Sequence, residues 1–412
     1  MIRISHLTKK LNGIIQLPSS KSISNRMLML KKMYEPGLKL TNLSTANDTQ
    51  LLQQLLASNK NNLNVQDAGT AFRFLVAYCA ANEGNWTIRG TARLHERPIK
   101  ELVDALRLLG AEINYLEKEN FAPLEIVGKR LIAKQEILDL RFVRSSQFIS
   151  ALLMIAPKIE GEFKLRIDSE MRSYSYVALT INAMERIGFE INQNQGVISI
   201  SKSKQFVAES FKVEPDWTSF YYWYAMAHLS SACNLFFPGI DKTNMSKERS
   251  LLNSIGNSSL TYTDENSGLR IKKADNKSVV EFNAKYDFSQ FPDLAPTFAF
   301  LLPALRCNTT VFAGLESLKF KECDREQAIG QQLAKMHVDF EKNVAEWSLN
   351  AIEYKLIKNT LFNTYHDHRM AMAAAPLALL KQIEIEDETV VNKSYPHFWE
   401  DLKSVGFEID LL

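Results

Sequence analysis

The chain of 412 residues lacks most of the features that would classify it by composition alone. Its four cysteines (Cys79, Cys233, Cys307 and Cys323) are scattered. With no CxxC pair and no histidine cluster at zinc-ligand spacing, neither a disulfide framework nor a structural zinc site is expected. Glycine (16) and proline (12) are sparse, which excludes fibrous and low-complexity classes. No apolar run approaches the ~18–20 residues of a membrane span. The longest, Leu294 to Leu305, is interrupted by Pro296, Thr297 and Pro303. Met1–Asn12 lacks the apolar centre of a signal peptide, so export is not expected. An excess of one charge is also missing: 49 Lys+Arg against 47 Asp+Glu leaves +2, which argues against a nucleic-acid coat or an acidic tail. What is present is 46% hydrophobic residues and 23% charge, the balance of a globular protein with sizeable cores. A reduced, soluble, cytoplasmic protein is expected, and at roughly 100–200 residues per domain the length allows two to four domains.

One pattern recurs along the chain: an amphipathic helix, a Gly or polar break, then a short alternating strand. Leu102–Leu109 runs through Gly110 into Ala111–Tyr115, and Leu179–Ile187 through Gly188 into Phe189-Glu190-Ile191. Leu251–Ile255 precedes Gly256 and Leu260-Thr261-Tyr262, Ala328–Met336 leads to Val338-Asp339-Phe340, and Phe398–Val405 reaches Phe407-Glu408-Ile409 through Gly406. Thr49–Leu56 with Leu63-Asn64-Val65 is a weaker sixth copy. A spacing of about 69 residues is too long for a solenoid repeat, so each copy is read as a small α/β subdomain.

Six apolar helices alternate with these copies, each opened by small or polar residues: Ser20-Lys21-Ser22, Ala68-Gly69-Thr70, Ser145-Ser146-Gln147, Asp216-Trp217-Thr218, Asp293-Leu294-Ala295 and Asp367-His368-Arg369. Bodies such as Phe148–Ile155 and Met370–Leu380 are apolar nearly all round, as buried helices are, while their first turns carry unsatisfied N–H groups and the positive dipole end. Such starts are ordinary caps. Gathered at one place, they also form an anion site. Three starts precede Glu214-Pro215 and three follow it, so a two-lobed chain is expected, with residues 20–215 in one lobe and 1–19 plus 216–412 in the other, and a ligand cleft where they meet.

The local motifs point further. Leu17-Pro18-Ser19-Ser20-Lys21-Ser22-Ile23-Ser24-Asn25-Arg26 resembles the signature L-P-G-S-K-S-x-S-N-R, and Leu318–Arg325 resembles R-x-K-E-[ST]-D-R. With Ala68–Arg73, Glu96-Arg97-Pro98, Ser145–Phe148, Asp367–Met372 and Lys393–Pro396, the chain resembles the 5-enolpyruvylshikimate-3-phosphate synthase family from residue 17 to residue 396. The resemblance implies an α/β fold, a two-lobed inside-out α/β barrel of six βαβαββ units, three per lobe, joined by two crossing strands. It implies transfer of the enolpyruvyl group of phosphoenolpyruvate to the 5-hydroxyl of shikimate 3-phosphate, with release of phosphate. It implies no metal and no organic cofactor, and the expected partners are small anionic substrates, with no nucleic acid, no membrane and a monomeric chain.

The residue types suit that chemistry, since both substrates carry a phosphate and a carboxylate, for which Arg offers a planar fork and Lys a point charge. By family position, Lys21, Gly69, Arg97, Gln147, Arg325, Arg369 and Lys393 would hold phosphoenolpyruvate. Lys21, Ser22, Arg26, Ser145, Ser146, Gln147, Ser173, Asp293, Ser317 and Lys321 would hold shikimate 3-phosphate. Asp293 would accept the proton of the 5-hydroxyl and Glu322 would donate one to the methylene carbon, with Lys21 and His368 handling protons and the leaving group. Read without the resemblance, Lys21 is a solvated lysine in a helix's first turn, Asp293 an N-cap or a functional acid, and Glu322 a surface charge at a helix start.

Several positions depart from the family signatures: Ser19 for Gly, Asp67 for Asn, Phe74 for Pro, Ser317 for Asn, Cys323 for Ser or Thr, His366 before Asp367, and Asn244–Arg249 without its Q-G-D triplet. Cys323 beside Glu322 is read as a neutral replacement rather than a nucleophile. A UDP-N-acetylglucosamine enolpyruvyl transferase would show a reactive loop cysteine, for which Cys79, Cys233 and Cys307 offer no motif. A non-catalytic anion binder would have no use for Glu322.

Overall fold

A computed structural model describes every residue except 59, 162, 169, 203–208, 242, 245–246, 253–259, 266, 274–283 and 344–345. The chain separates into two compact units, Met1–Ser20 with Glu214–Leu412, and Lys21–Val213. Within the first unit the two connections run side by side, Ser20 N–H donating to Glu214 C=O at 2.9 Å and Asp216 N–H to Pro18 C=O at 2.8 Å.

The helices are α1 (Lys21–Tyr34), α2 (Asn47–Ala57), α3 (Gly69–Ala80), α4 (Ala92–His95), α5 (Lys100–Leu108), α6 (Ser146–Ile155), α7 (Tyr174–Arg186), α8 (Trp217–Leu229), α9 (Ala295–Ala304), α10 (Arg325–Ala334), α11 (His368–Ala374) and α12 (Phe398–Ser404). All six apolar helix starts read from the sequence are real: α1, α3, α6, α8, α9 and α11 begin there. Every residue of α8 and of α9 is buried, which is why neither shows an amphipathic stripe. The apolar run expected over Met370–Leu380 changes from α11 to a tighter 3₁₀ turn at Ala375–Leu379, where Pro376 withholds an N–H.

One sheet plan recurs. Asn62–Asn64, Gly84–Arg89, Leu124–Gly128 and Glu112–Tyr115 lie side by side, the first pair parallel and the rest antiparallel. The row Leu63, Ile88, Leu124 is buried. Helix α3 links the parallel strands and α5 leads to the hairpin, a βαβαββ order. The same order builds Ile137–Asp139, Lys164–Arg166, Val197–Lys202 and Phe189–Asn194 in the second unit. It builds Lys285–Asp287, Thr309–Ala313, Glu346–Asn350 and Asp339–Lys342 in the first unit. There Thr360–Phe362 and Ile383–Ile385 complete another such sheet with Ile2–Ser5 and Glu408–Leu411, and Lys10–Ile14 and Ala232–Pro238 with Gly268–Lys273 and Leu260–Glu265.

The weaker sixth copy has its helix and its strand, α2 followed by Asn62–Asn64. Asn62–Asn64 opens the next sheet, and Lys39–Thr41 pairs only with Ser210–Lys212 among the described residues. Alternation announces a strand but not its partner. For the expected helix Leu251–Ile255 and Gly256, the described part is a 3₁₀ turn at Glu248–Leu251, and residues 253–259 lie outside the described ones.

The helix–Gly–strand joints share a physical cause. After α5, Gly110 takes φ +91° and Ala111 N–H reaches back to Leu106 C=O at 3.0 Å; after α12, Gly406 takes φ +99° and Phe407 N–H reaches Leu402 C=O at 3.2 Å. This left-handed closure satisfies the last carbonyls of the helix. After α10 the glycine is absent, and His337 adopts φ +55° while Val338 N–H closes on Leu333 C=O at 3.2 Å.

Candidate active site

In both units the expected site residues fall just after the parallel strands, at helix starts, where open α/β sheets present ligand sites. In the first unit, Asp293 lies in the 3₁₀ turn Pro292–Leu294 that leads into α9, Lys321 and Glu322 precede α10 with Arg325 as its first residue, and His368 and Arg369 open α11. Lys393 ends a 3₁₀ turn, Thr389–Lys393, packed against α11.

Arg325 is the centre of this group, its side chain 1% exposed. Its Nη1 donates to Asp293 Oδ1 at 2.8 Å, its Nη2 to Glu322 Oε2 at 2.8 Å and to Asp367 Oδ1 at 3.2 Å, and its Nε to Asp367 Oδ2 at 2.7 Å. Asp293 also meets Lys321 Nζ at 3.2 Å and Arg369 Nη2 at 3.2 Å. Arg369 Nη1 donates to the Tyr222 hydroxyl at 3.4 Å. Three carboxylates therefore face three cations, which is how charge is tolerated at this depth.

The electrostatics follow from that arrangement. Burial acts to raise the Asp293 carboxyl, but Arg369, Lys321 and Arg325 outweigh it and hold the group well below the usual carboxylate range, with Glu322 opposing them. Burial lowers the Lys321 ammonium, and Asp293 opposes that shift. Burial works against the Arg325 charge too, but Asp367, Glu322 and Asp293 reverse it and push the guanidinium well above its ordinary value. Burial pushes the Tyr222 phenol up to about 12, against Arg369 and Arg325. Burial and Asp367 also push the Cys323 thiol up, which disfavours its thiolate.

In the second unit, Lys21 opens α1 and its Nζ meets Asp48 Oδ2 at 3.0 Å; Asp48 itself is buried at the start of α2. Arg97 is buried, and its Nε has no hydrogen-bond partner among the described residues. It packs over Gly69 together with Arg73, whose Nη1 donates to Gly69 C=O at 2.8 Å. A Cβ at Gly69 would lie 2.5 Å from Arg73 Nη1 and 2.6 Å from Arg97 Nη1, so a side chain there would require both guanidinium groups to shift. Ser145 and Ser146 open α6, where Gln147 Nε2 donates to Thr70 Oγ1 at 3.2 Å, and Ser173 caps α7 with φ +59°.

Arg26 is spent largely on structure. Its Nε donates to Thr180 Oγ1 at 2.6 Å, its Nη1 to Ser22 C=O at 2.8 Å, and its Nη2 to Ser150 Oγ and Tyr176 C=O, both at 3.1 Å. Its guanidinium carbon lies 5.4 Å from the centroid of the Phe74 ring, so the Phe that departs from the family pattern supports it by a cation–π contact. Among the described residues, four of its five N–H groups have partners. Of the other departures, Asp67 accepts from Thr91 Oγ1, the cap of α4, and Ser317 stands exposed on the 3₁₀ turn Glu316–Phe320. In the loop without Q-G-D, Asn244 Oδ1 accepts from the Trp217 indole at 3.1 Å and Glu248 C=O from the Tyr221 hydroxyl at 2.7 Å. Both bonds tie that loop to α8; Met245 and Ser246 lie outside the described residues.

Sequence reading assigned no role to Asp48, Arg73, Tyr222 or Asp367. Arg73 carried a usable signal, four residues after Gly69 and so on the same helix face. Asp367 carried another, as an N-cap.

The sequence pattern of the EPSP synthase (3-phosphoshikimate 1-carboxyvinyltransferase) family matches residues 51–402. A 3-phosphoshikimate 1-carboxyvinyltransferase of Bacteroides fragilis (strain YCH46) is 37% identical over 407 residues, spanning 97% of each chain. Another, from Vibrio campbellii, is 30% identical over 96% of this chain and 97% of its own. Among solved structures, EPSP synthase from Acinetobacter baumannii superposes with a TM-score of 0.75 at 21% identity, covering 100% of this chain and 99% of that one. The enolpyruvyl transferase NikO from Streptomyces tendae also gives 0.75, at 14% identity, with 99% and 98% coverage. These last two likenesses concern the fold.

Proposed function

Because the chain belongs to the EPSP synthase family, we propose that the cluster centred on Arg325 is the catalytic part of its active site. The protein is an enzyme, a 3-phosphoshikimate 1-carboxyvinyltransferase of aromatic amino acid biosynthesis. It transfers the enolpyruvyl group of phosphoenolpyruvate to the 5-hydroxyl of shikimate 3-phosphate and releases phosphate.

In this reading Asp293 takes the proton of the 5-hydroxyl as that oxygen bonds to C2 of phosphoenolpyruvate. Glu322 gives a proton to C3, turning the methylene into a methyl group. The tetrahedral adduct then loses a methyl proton, re-forms the double bond and breaks the C2–O bond to phosphate. Asp293 is held ionised by its cations, which leaves it unprotonated but makes it a weaker base while they stay engaged. Arg325 and Arg369, with Lys393, Arg97 and the backbone at Gly69, hold the phosphate and carboxylate of phosphoenolpyruvate. Lys21 serves both substrates, and with His368 it handles protons and the departing phosphate. Ser22, Arg26, Ser145, Ser146, Gln147, Ser173, Ser317 and Lys321 hold shikimate 3-phosphate. Anionic phosphoenolpyruvate competes with Asp293 and Glu322 for the Arg325 donors, so substrate entry loosens both carboxylates from their resting bonds. We place the reaction in the cytoplasm, carried out by a monomer.

The observation that carries the reading is that Asp293 and Glu322 bond to neighbouring nitrogens of one guanidinium, each at 2.8 Å. The test is release of inorganic phosphate from phosphoenolpyruvate by the purified protein. Release that requires shikimate 3-phosphate is expected; tight binding of both compounds without release would overturn the reading.

A further inference from the structure

Asp367 is fully buried, with 0% exposure, deeper than the carboxylates assigned to the chemistry. Both its oxygens are committed. Oδ2 accepts from Arg325 Nε at 2.7 Å and Oδ1 from Arg325 Nη2 at 3.2 Å, the two-pronged match of carboxylate and guanidinium. Oδ1 also accepts the backbone N–H of Arg369 at 2.9 Å, which caps α11, and the Cys323 thiol lies 3.6 Å from Oδ2. One carboxylate thus fixes two arginines that belong to different helices, α10 and α11.

We propose that Asp367 is a positioning residue of the phosphoenolpyruvate clamp, aiming Arg325 through its fork and setting the start of α11 that carries Arg369, without touching substrate. The argument is geometric. A guanidinium is planar, with its donors in fixed directions. With Nε and one Nη2 proton taken by Asp367, the donors of Arg325 that remain include those turned to Asp293 and Glu322, whose side chains are 13% and 14% exposed. That edge is the one an incoming anion can reach. Without the fork, rotation of the guanidinium would present other donors and lose the paired geometry. Cys323 has a matching part: where the family places Ser or Thr, its thiol is the weaker donor to the same carboxylate.

The inference rests on the reading that Arg325 and Arg369 hold phosphoenolpyruvate, and the test separates the two. Steady-state phosphate release is measured for wild type, Arg369→Lys and Asp367→Asn, varying each substrate in turn. Asp367→Asn is expected to raise KM for phosphoenolpyruvate at least about tenfold, the cost of one misdirected charge-assisted pair, while KM for shikimate 3-phosphate stays within about twofold. A role in folding alone would lower the thermal midpoint and leave both KM values as in wild type, or raise them together, and either result overturns the proposal. If Asp367→Asn does not fold, Asp367→Ser keeps an oxygen for the α11 N–H but loses the fork, and the same split is expected of it. Failure of both to fold would assign Asp367 to folding and overturn the proposal. An inactive wild type, or an Arg369→Lys variant with unchanged KM for phosphoenolpyruvate, would instead overturn the reading of the site.

Discussion

Arg325 Nη1 donates to Asp293 Oδ1 at 2.8 Å across thirty-two residues of sequence, and that bond joins the expected proton acceptor to the centre of the cation cluster. Asp293 holds its charge through three such contacts, with Arg325, Lys321 and Arg369. On the proposed reading, Asp293→Asn keeps the shape and removes the base, as Glu322→Gln removes the acid. Each variant is expected to keep the wild-type circular dichroism and to lose at least about 10²-fold in turnover, the usual contribution of a positioned acid or base. Near-wild-type phosphate release by either purified variant would exclude that residue from the chemistry.

Gly69 offers a steric test of the second unit. An added methyl group would meet Arg97 and Arg73 at 2.6 and 2.5 Å, so both buried guanidinium groups would have to shift. Gly69→Ala is therefore expected to displace Arg97 and raise KM for phosphoenolpyruvate by about tenfold or more, a loss of roughly one charged hydrogen bond. Initial rates at varied phosphoenolpyruvate check this, and an unchanged KM would separate Arg97 from that substrate.

His228 makes stability depend on pH. It is buried near the end of α8, its ring 4.5 Å from that of Tyr224, and its Nε2 has no hydrogen-bond partner among the described residues. Burial first, and Lys273 second, push the imidazole down to about 3. The unfolded imidazole titrates near about 6.5. The folded state thus resists protonation: the contribution of the neutral ring is fully present above about pH 6.5 and is lost as the pH falls from there toward 3. His228→Phe should flatten this loss, which is at most about 1.4 kcal/mol per pH unit. Urea unfolding between pH 7 and about pH 4.5 reads the difference, and parallel slopes for the two proteins would contradict the assignment.

His337 is exposed in the left-handed position that Gly110 and Gly406 occupy after their own helices. His337→Gly removes backbone strain there at the expense of a more flexible unfolded chain, so a net gain of about 0.5 kcal/mol is expected from the two opposing effects. A higher urea midpoint with an unchanged slope would show it; a lower midpoint would mean the imidazole contributes more than the strain removes.

The sequence determined much of this protein without help. Six helices start at Ser20-Lys21, Ala68-Gly69, Ser145-Ser146, Asp216, Asp293 and Asp367 because capping residues and all-round apolar bodies are local properties, set by neighbours within a turn or two. The joints at Gly110, Gly188 and Gly406 were legible for the same reason, each glycine standing where the chain must turn left-handed. Tertiary structure alone decided which strands pair: the strand after α2, Asn62–Asn64, opens the next sheet beside Gly84–Arg89. It also decided that Arg26 would be consumed by Thr180, Ser150 and Tyr176, and that Asp367 would face Arg325 forty-two residues away. Periodicity and capping act over a few residues, whereas the direction of a buried guanidinium depends on acceptors brought in from several separate helices, and no local pattern records that convergence.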